Sequence, residues 1–341
     1  MGILVLAVAV GYVVAVVDVS AIRVAAAGLA AEPLALAAAL AVYASAFVLR
    51  ALAWRRVLPG LTTAASWSAL HVALLGNHVL PFRLGEALRV TSVLRRTSLP
   101  AKPVIASAVT LRLGDVVAVV ALALLAAPTL VDALVGRGWT AIIGGGLLAA
   151  TAAGFVWVRR LGLGGAAVRL PGPGVAAAVV VAWLFEAAIV WTVAGAAGVS
   201  LSVLDAIGVT AVTMVAQAVA VTPAGVGSYE AAGTAALVVL GVDAGPALAV
   251  VLLTHALKTA YALVVGAVAL FLPAPGYFGR FRLPRRLPPR PAAAPIDPDA
   301  PVVAFIPAHD EEATVGAVVA QLPKEVAGHR VEVIVVDDGS T

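Results

Sequence analysis

A chain of 341 residues that is 62% hydrophobic and only 12% charged, with mean hydropathy +1.06, is not an ordinary soluble domain, because no globular core needs that much apolar surface. The net charge of +4 is modest, so its placement matters more than its size, and no nucleic-acid partner is expected. The absence of cysteine excludes disulfides, thiolate metal sites and cysteine nucleophiles.

The first apolar stretch, Ile3 to Val17, lacks a basic leader and a cleavage site, and is read as a retained membrane segment. Crossing a bilayer takes about 20 apolar residues. Runs suited to this lie at 2–17 (short), 33–50, 104–127, 139–158, 175–198 and 246–272. Two more regions, 62–80 and 205–242, are apolar but interrupted by polar, Gly or Pro clusters. The fold class expected for 1–272 is therefore an all-α polytopic membrane bundle with re-entrant or broken segments.

Positive charge gives an orientation. Arg50, Arg55 and Arg56 follow one run, and Arg83, Arg89, Arg95, Arg96 and Lys102 precede another. Arg159, Arg160 and Arg169 follow a third, and further arginines follow the last. Placing all four groups in the cytoplasm requires 62–80 to enter and leave on one side, as a re-entrant hairpin or two half-helices. It also requires an even number of crossings from 205–242. The expectation is a multi-pass protein of the cell membrane with its N-terminus and C-terminal tail cytoplasmic. Irregular backbone at membrane depth is tolerated only when buried in protein or lining a cavity, so two broken segments point to a site between them.

The first break, 76-GNHVLPFRLGEALRVTSVLRR-96, gathers Asn77, Pro81, Arg83, Gly85, Glu86 and Arg89. Glu86 and Arg89 share a helical face and can pair. In 111-LRLGD-115, Arg112 and Asp115 have the same spacing. A charge at mid-bilayer costs at least about 2.5–3.5 kcal/mol, so such groups pair or face a wet cavity. The second break, 222-TPAGVGSYE-230, contains Pro223, Gly225 and Gly227, with Glu230 opening the next helix. Glu230 argues against an anion directly on that helix end. Glu186, His255 and Lys258 are lone polar residues within spans, and an interhelical hydrogen bond is the expected role of Glu186 and His255.

The patterns N-x-x-x-P-x-R-x-G-E-x-x-R, R-L-G-D and P-A-G-V-G-x-x-E, with 49-LRALAWRRVL-58 upstream, resemble the lysylphosphatidylglycerol synthase transmembrane (flippase-like) family over residues 3–272. The resemblance implies a bundle handling a lipid or lipid-linked head group, with polyprenyl-phosphate or anionic phospholipid as partner. It carries over Asn77, Pro81, Arg83, Gly85, Glu86, Arg89, Arg112, Asp115, Pro223, Gly225, Gly227 and Glu230 as cavity residues. The soluble aminoacyl-transferring domain of the family's best-known members does not follow, and nothing here supports lysyl transfer.

Residues 273–301 are rich in Pro and carry Arg280, Arg282, Arg285, Arg286 and Arg290, a semi-rigid linker also suited to anionic lipid head groups. In 302–341 a strand is expected at Val302–Ile306, a helix from Asp310 to Leu322 before Pro323, and a second strand at Val331–Val336. The acidic loops would sit at the strands' carboxyl ends, where open α/β sheets bind ligands. The motifs P-A-H-D-E-E and V-D-D-G-S-T resemble the start of a family 2 glycosyltransferase of GT-A fold. By that resemblance Pro307, Ala308, Glu311, Asp337 and Asp338 line the nucleotide of a nucleotide-sugar, and a complete domain uses Mg or Mn. The resemblance stops before the D-x-D and catalytic base, so 302–341 reads as a truncated β-α-β fragment without transferase activity and without a metal of its own. The leading expectation is a flippase-like domain joined to a glycosyltransferase. A transporter-like protein with no transferase role and a mere membrane anchor are the alternatives.

Overall fold

Prolines and polar caps set where the helices of the membrane unit begin. The computed structural model describes residues 18–160, 171–273, 275–278, 299–337 and 339–340. It divides the chain into two units, Met1–Phe281 and Arg282–Thr341. The expected span at 2–17, Arg169, the arginine cluster 280–290 and Asp338 lie outside the described residues.

In the first unit, Asp18 caps α1 (Val19–Ala31), accepting from the amides of Ser20 at 2.9 Å and Ala21 at 3.2 Å. This short apolar helix is not anticipated by the sequence reading. Pro33 opens α2 (Pro33–Val57), and Thr62 caps α3 (Thr63–Val79). After a 3₁₀ turn at Pro81–Arg83 come α4 (Gly85–Arg96), α5 (Ala101–Ala126), α6 (Pro128–Val135) and α7 (Arg137–Arg160). Pro173 opens α8 (Pro173–Ala196), and a reciprocal Ser202–Asp205 capping box opens α9 (Val203–Val219). A second 3₁₀ turn, Pro223–Gly225, precedes α10 (Ser228–Val239) and α11 (Ala244–Phe271).

Four of these helices, α2, α5, α8 and α11, are long and apolar enough to cross a membrane. They coincide with the runs expected at 33–50, 104–127, 175–198 and 246–272, α2 running about two turns further. The run at 139–158 lies within the 24-residue α7. Small residues let the helices approach closely. A Cβ at Gly28 of α1 would overlap the Ala196 carbonyl at the end of α8, and one at Gly266 of α11 would sit 2.8 Å from the His71 carbonyl of α3. The core between them contains the buried Trp54, Ile189, Tyr229 and Leu237. Trp54 spends its indole N–H on Ser107 Oγ at 2.9 Å.

The two interrupted regions fold alike. Each is a 17-residue helix, a proline-led 3₁₀ turn whose second residue is left-handed (Phe82 φ 55°, Ala224 φ 56°), and a 12-residue helix. The hairpin expected within 62–80 is corrected here. That stretch is one continuous helix, the turn falls at 80–84, and α4 is the returning arm packed on α3. Pro81 removes a helical N–H, and Gly85 tolerates no side chain, since a Cβ would overlap the Ala73 carbonyl and the Asn77 side chain.

The two breaks meet. The Phe82 N–H donates to Val221 O at 3.1 Å, and Arg83 Nη1 donates to Gln217 O at 2.7 Å. The Gln217 amide in turn donates to Ala224 O. Carbonyls freed at the end of α9 are thus satisfied by the opposite break, the condition for irregular backbone among apolar helices.

The second unit is a three-stranded sheet, β1 (Val302–Ala308), β2 (Glu325–Val326) and β3 (His329–Asp337), in order β1-β3-β2, with α12 (Glu312–Ala320) between the first two strands. The strand–helix–strand expectation holds, and the short antiparallel β2 is an addition. β1 and β3 are parallel, with register from Val302↔Val331 to Ala308↔Asp337. Such a small sheet is open, and Phe305 remains 64% exposed.

Candidate functional site

The cavity of the first unit is walled by α2, α3, α4, α5, α8, α9, α10 and α11, with Arg83 of the first break, and spans about 780 Å³ counting the open solvent at its mouth. Lining it are five cations (Arg50, Arg83, Arg89, Arg112, Lys258) and three carboxylates (Glu86, Asp115, Glu186).

Its deepest part is a chain of alternating charge. Arg50 Nη1 meets Glu186 Oε1 at 2.7 Å, Lys258 Nζ meets Glu186 Oε2 at 3.4 Å, and Arg50 Nε stands 3.7 Å from Asp115 Oδ1. Asp115, Glu186 and Lys258 are buried, and the Arg50 side chain is only 10% exposed. Aromatic faces add to the attraction: the Arg50 guanidinium lies 4.6 Å from the Trp183 ring, and the Lys258 ammonium 5.5 Å from Tyr43.

Towards the mouth the pairing loosens. Arg89 Nη1 and Arg112 Nε approach Glu86 at only 3.8 and 3.9 Å, beyond hydrogen-bond length. Glu86 and Arg112 are about a third exposed (37% and 32%). Buried Arg89 lies over the Trp54 ring at 4.3 Å. Among the described residues, Arg83 Nε, Arg89 Nε, Asn77 Oδ1 and Asp115 Oδ1 are buried without a hydrogen-bond partner. The mouth therefore holds guanidinium donors that the protein does not use, and these suit an anion with several acceptor oxygens.

Beside this lies the pair His255–Glu230, with Nδ1 to Oε1 at 2.5 Å. The second oxygen of Glu230 accepts from the Gly227 N–H at 2.7 Å, closing the second break. Gly227 (φ 91°) and Gly225 (φ 76°) hold left-handed backbone there.

Of the residues singled out from sequence, Asn77, Arg83, Glu86, Arg89, Arg112 and Asp115 line the cavity. Pro81, Gly85, Pro223, Gly225 and Gly227 shape the breaks instead, and Glu230 stands behind His255. Two pairings differ from expectation. Arg112 reaches Glu86 rather than Asp115, and Asp115 meets Arg50. Glu186, expected to make one interhelical hydrogen bond, is the hub of the buried network. Of the flanking arginines, Arg96 is buried and Arg50 is only 10% exposed at its side chain. Arg96 caps α11, donating to Pro273 O at 2.8 Å and Pro275 O at 2.9 Å and to the Ala269 carbonyl. Sequence reasoning missed Arg50, Tyr43, Trp183 and Gln217. For Arg50 the available signal was its place at the end of an apolar run, one turn before Trp54.

In the second unit, parallel pairing sets Ala308 beside Asp337, so the two acidic loops leave one edge of the sheet. They touch: the Asp310 N–H donates to Ser340 Oγ at 2.9 Å. Asp337 accepts from the Ser340 amide at 2.9 Å and from its hydroxyl, and the hydroxyl holds its carboxyl below the usual range. Glu311 accepts from the Thr314 hydroxyl. Pro307 and Ala308 end β1. Among the described residues no three His, Asp or Glu side chains converge.

The family model described as the lysylphosphatidylglycerol synthase TM region matches residues 1–171 and 173–266. No curated protein and no solved structure matches the chain.

Proposed function

Because this chain belongs to the lysylphosphatidylglycerol synthase TM-region family, a membrane family that points to lipid handling, we propose that its cavity receives the phosphate-bearing head group of an anionic lipid. The observation that carries this reading is the excess of cations over carboxylates, with unspent guanidinium donors at the mouth. Uncompensated positive charge among apolar helices is costly, and a bound phosphate relieves that cost. Arg83, Arg89 and Arg112 are the phosphate ligands, while Arg50, Glu186 and Lys258 hold the cavity in shape. An anionic phospholipid and a polyprenyl phosphate share this chemistry.

The test is titration of the purified chain with dihexanoyl-phosphatidylglycerol and, separately, farnesyl phosphate. Binding of either is expected, and which one binds more tightly identifies the lipid class. A charge-assisted hydrogen bond is worth about 1.5–3 kcal/mol, so Arg89→Gln and Arg112→Gln should each weaken binding about tenfold or more. Binding of neither lipid, or binding indifferent to these substitutions, sinks the reading.

A second reading concerns residues 302–341. Both acidic loops leave one end of a parallel strand pair, and that favours a nucleotide-facing edge of glycosyltransferase type, with a nucleotide-sugar as ligand of Glu311 and Asp337. Their present bonds are local caps, which a ligand would have to replace. Chemical-shift changes at Gly339 and Ser340 on adding uridine diphosphate would support this reading, and unchanged shifts with uridine, guanosine and adenosine diphosphates would remove it.

A further inference from the structure

The phosphate ligands leave one buried titratable group of the cavity unused. His255 sits on α11 with its ring stacked on Tyr229 (centroids 4.3 Å apart), and its Nδ1 faces Glu230 Oε1 at 2.5 Å. A carboxylate there fixes the Nδ1–H tautomer, as in any histidine whose second nitrogen is set by an acidic neighbour. The lone pair is then on Nε2, which is buried and, among the described residues, has no partner.

The other two histidines of this unit are built differently. His71 spends Nδ1 on the Trp67 carbonyl and Nε2 on the Tyr261 hydroxyl, both at 2.9 Å. His78 gives Nδ1 to the Leu74 carbonyl at 2.8 Å, and among the described residues it forms no ion pair to a carboxylate.

We infer that His255 is a proton-binding site of the cavity, so that an anionic head group enters together with a proton taken up from water on Nε2. This rests on the head-group reading above. The groups facing His255 suit the role. From α10 come Tyr229 and Glu230, and from α3 comes His78, whose ring is 6.5 Å away. Arg83 of the first break shares the cavity. Lys258, three residues on along α11, is held by Glu186 of α8. α1 meets another side of α11 through Ala26, Leu29 and Ala30. With Lys258 already neutralised by Glu186, a proton on Nε2 cancels the negative charge of Glu230, so its uptake removes a carboxylate's repulsion of an incoming phosphate. Proton and phosphate then attract each other, and linkage requires each to strengthen the other's binding.

The experiment is calorimetric titration of the full chain with dihexanoyl-phosphatidylglycerol at pH 7.5 in two buffers of different ionisation enthalpy, Hepes and Tris. The expected result is a buffer-dependent heat reporting proton uptake, with affinity falling up to about tenfold per pH unit towards alkaline pH. His255→Gln should abolish both effects, and His78→Gln should retain them. Should His255→Gln fail to fold, ¹⁵N-imidazole spectra of the wild type replace it, and one histidine of the five should shift towards imidazolium on lipid addition. Binding with no buffer-dependent heat overturns this inference and leaves the head-group site standing. Uptake that survives His255→Gln, or is lost in His78→Gln, overturns it as well. Absence of binding overturns the head-group reading, and this inference with it.

Discussion

At the scale of single residues, the cavity separates charges that hold the protein together from charges left over. Glu186 neutralises both Arg50 and Lys258 away from water. Removing one member of such a buried set leaves uncompensated charge and costs about 3–5 kcal/mol. Glu186→Gln should therefore lower the thermal midpoint steeply in detergent. Arg112, a third exposed and loosely paired, should shift stability by no more than about 0.5 kcal/mol when changed to Gln. Differential scanning fluorimetry on the two variants checks the contrast. In the tail, the Asp337 carboxyl is held below its usual range by the Ser340 hydroxyl. Its folded value lies below its unfolded one, so its contribution is present above the ordinary carboxylate range and is lost as pH falls through the folded value. Amide shifts of Gly339 and Ser340 should accordingly stay constant from neutral pH to about pH 4 and move only below it.

At the scale of elements, the site depends on two helices that stop early. Each break needs a proline to end hydrogen bonding and a position where backbone replaces side chain. Gly85→Ala would press a methyl into the Ala73 carbonyl and Asn77, forcing α4 off α3. A loss of about 1–3 kcal/mol is expected from such overpacking. Gly195→Ala on α8 meets nothing within 4 Å and should be neutral or stabilising by up to about 1 kcal/mol. Chemical denaturation of both variants tests whether close approach, rather than helix propensity, explains the glycine at 85. Arg96 belongs to this scale too. Its guanidinium satisfies carbonyls at the end of α11, and Arg96→Ala should cost about 1–3 kcal/mol through unmet acceptors. Read from the sequence alone, it was one more flanking arginine.

At the scale of the molecule, Arg55 and Arg56, exposed at the end of α2, still fit a cytoplasmic assignment of that helix end. The chain lacks cysteine, so Ser98→Cys and Ser340→Cys provide single labels. Both should resist a membrane-impermeant maleimide applied from outside and react once the membrane is opened; labelling of either in intact cells would reverse the topology. The sequence by itself determined the four long apolar helices, both breaks and the strand–helix–strand order of the tail. These follow from local quantities: run length, proline, glycine and residue periodicity. It also assembled most of the cavity's mouth, because Asn77, Arg83, Glu86 and Arg89 lie within four turns of one another along the chain. Only the tertiary structure decided that Arg50, Glu186, His255 and Lys258 join them. Their partners lie on different helices, and spacing along a helix carries no information about which helix will pack beside it. The same holds for Arg112 and Asp115, whose i,i+3 spacing permits a pair that packing overrules, since Glu86 and Arg50 stand closer to where their side chains point.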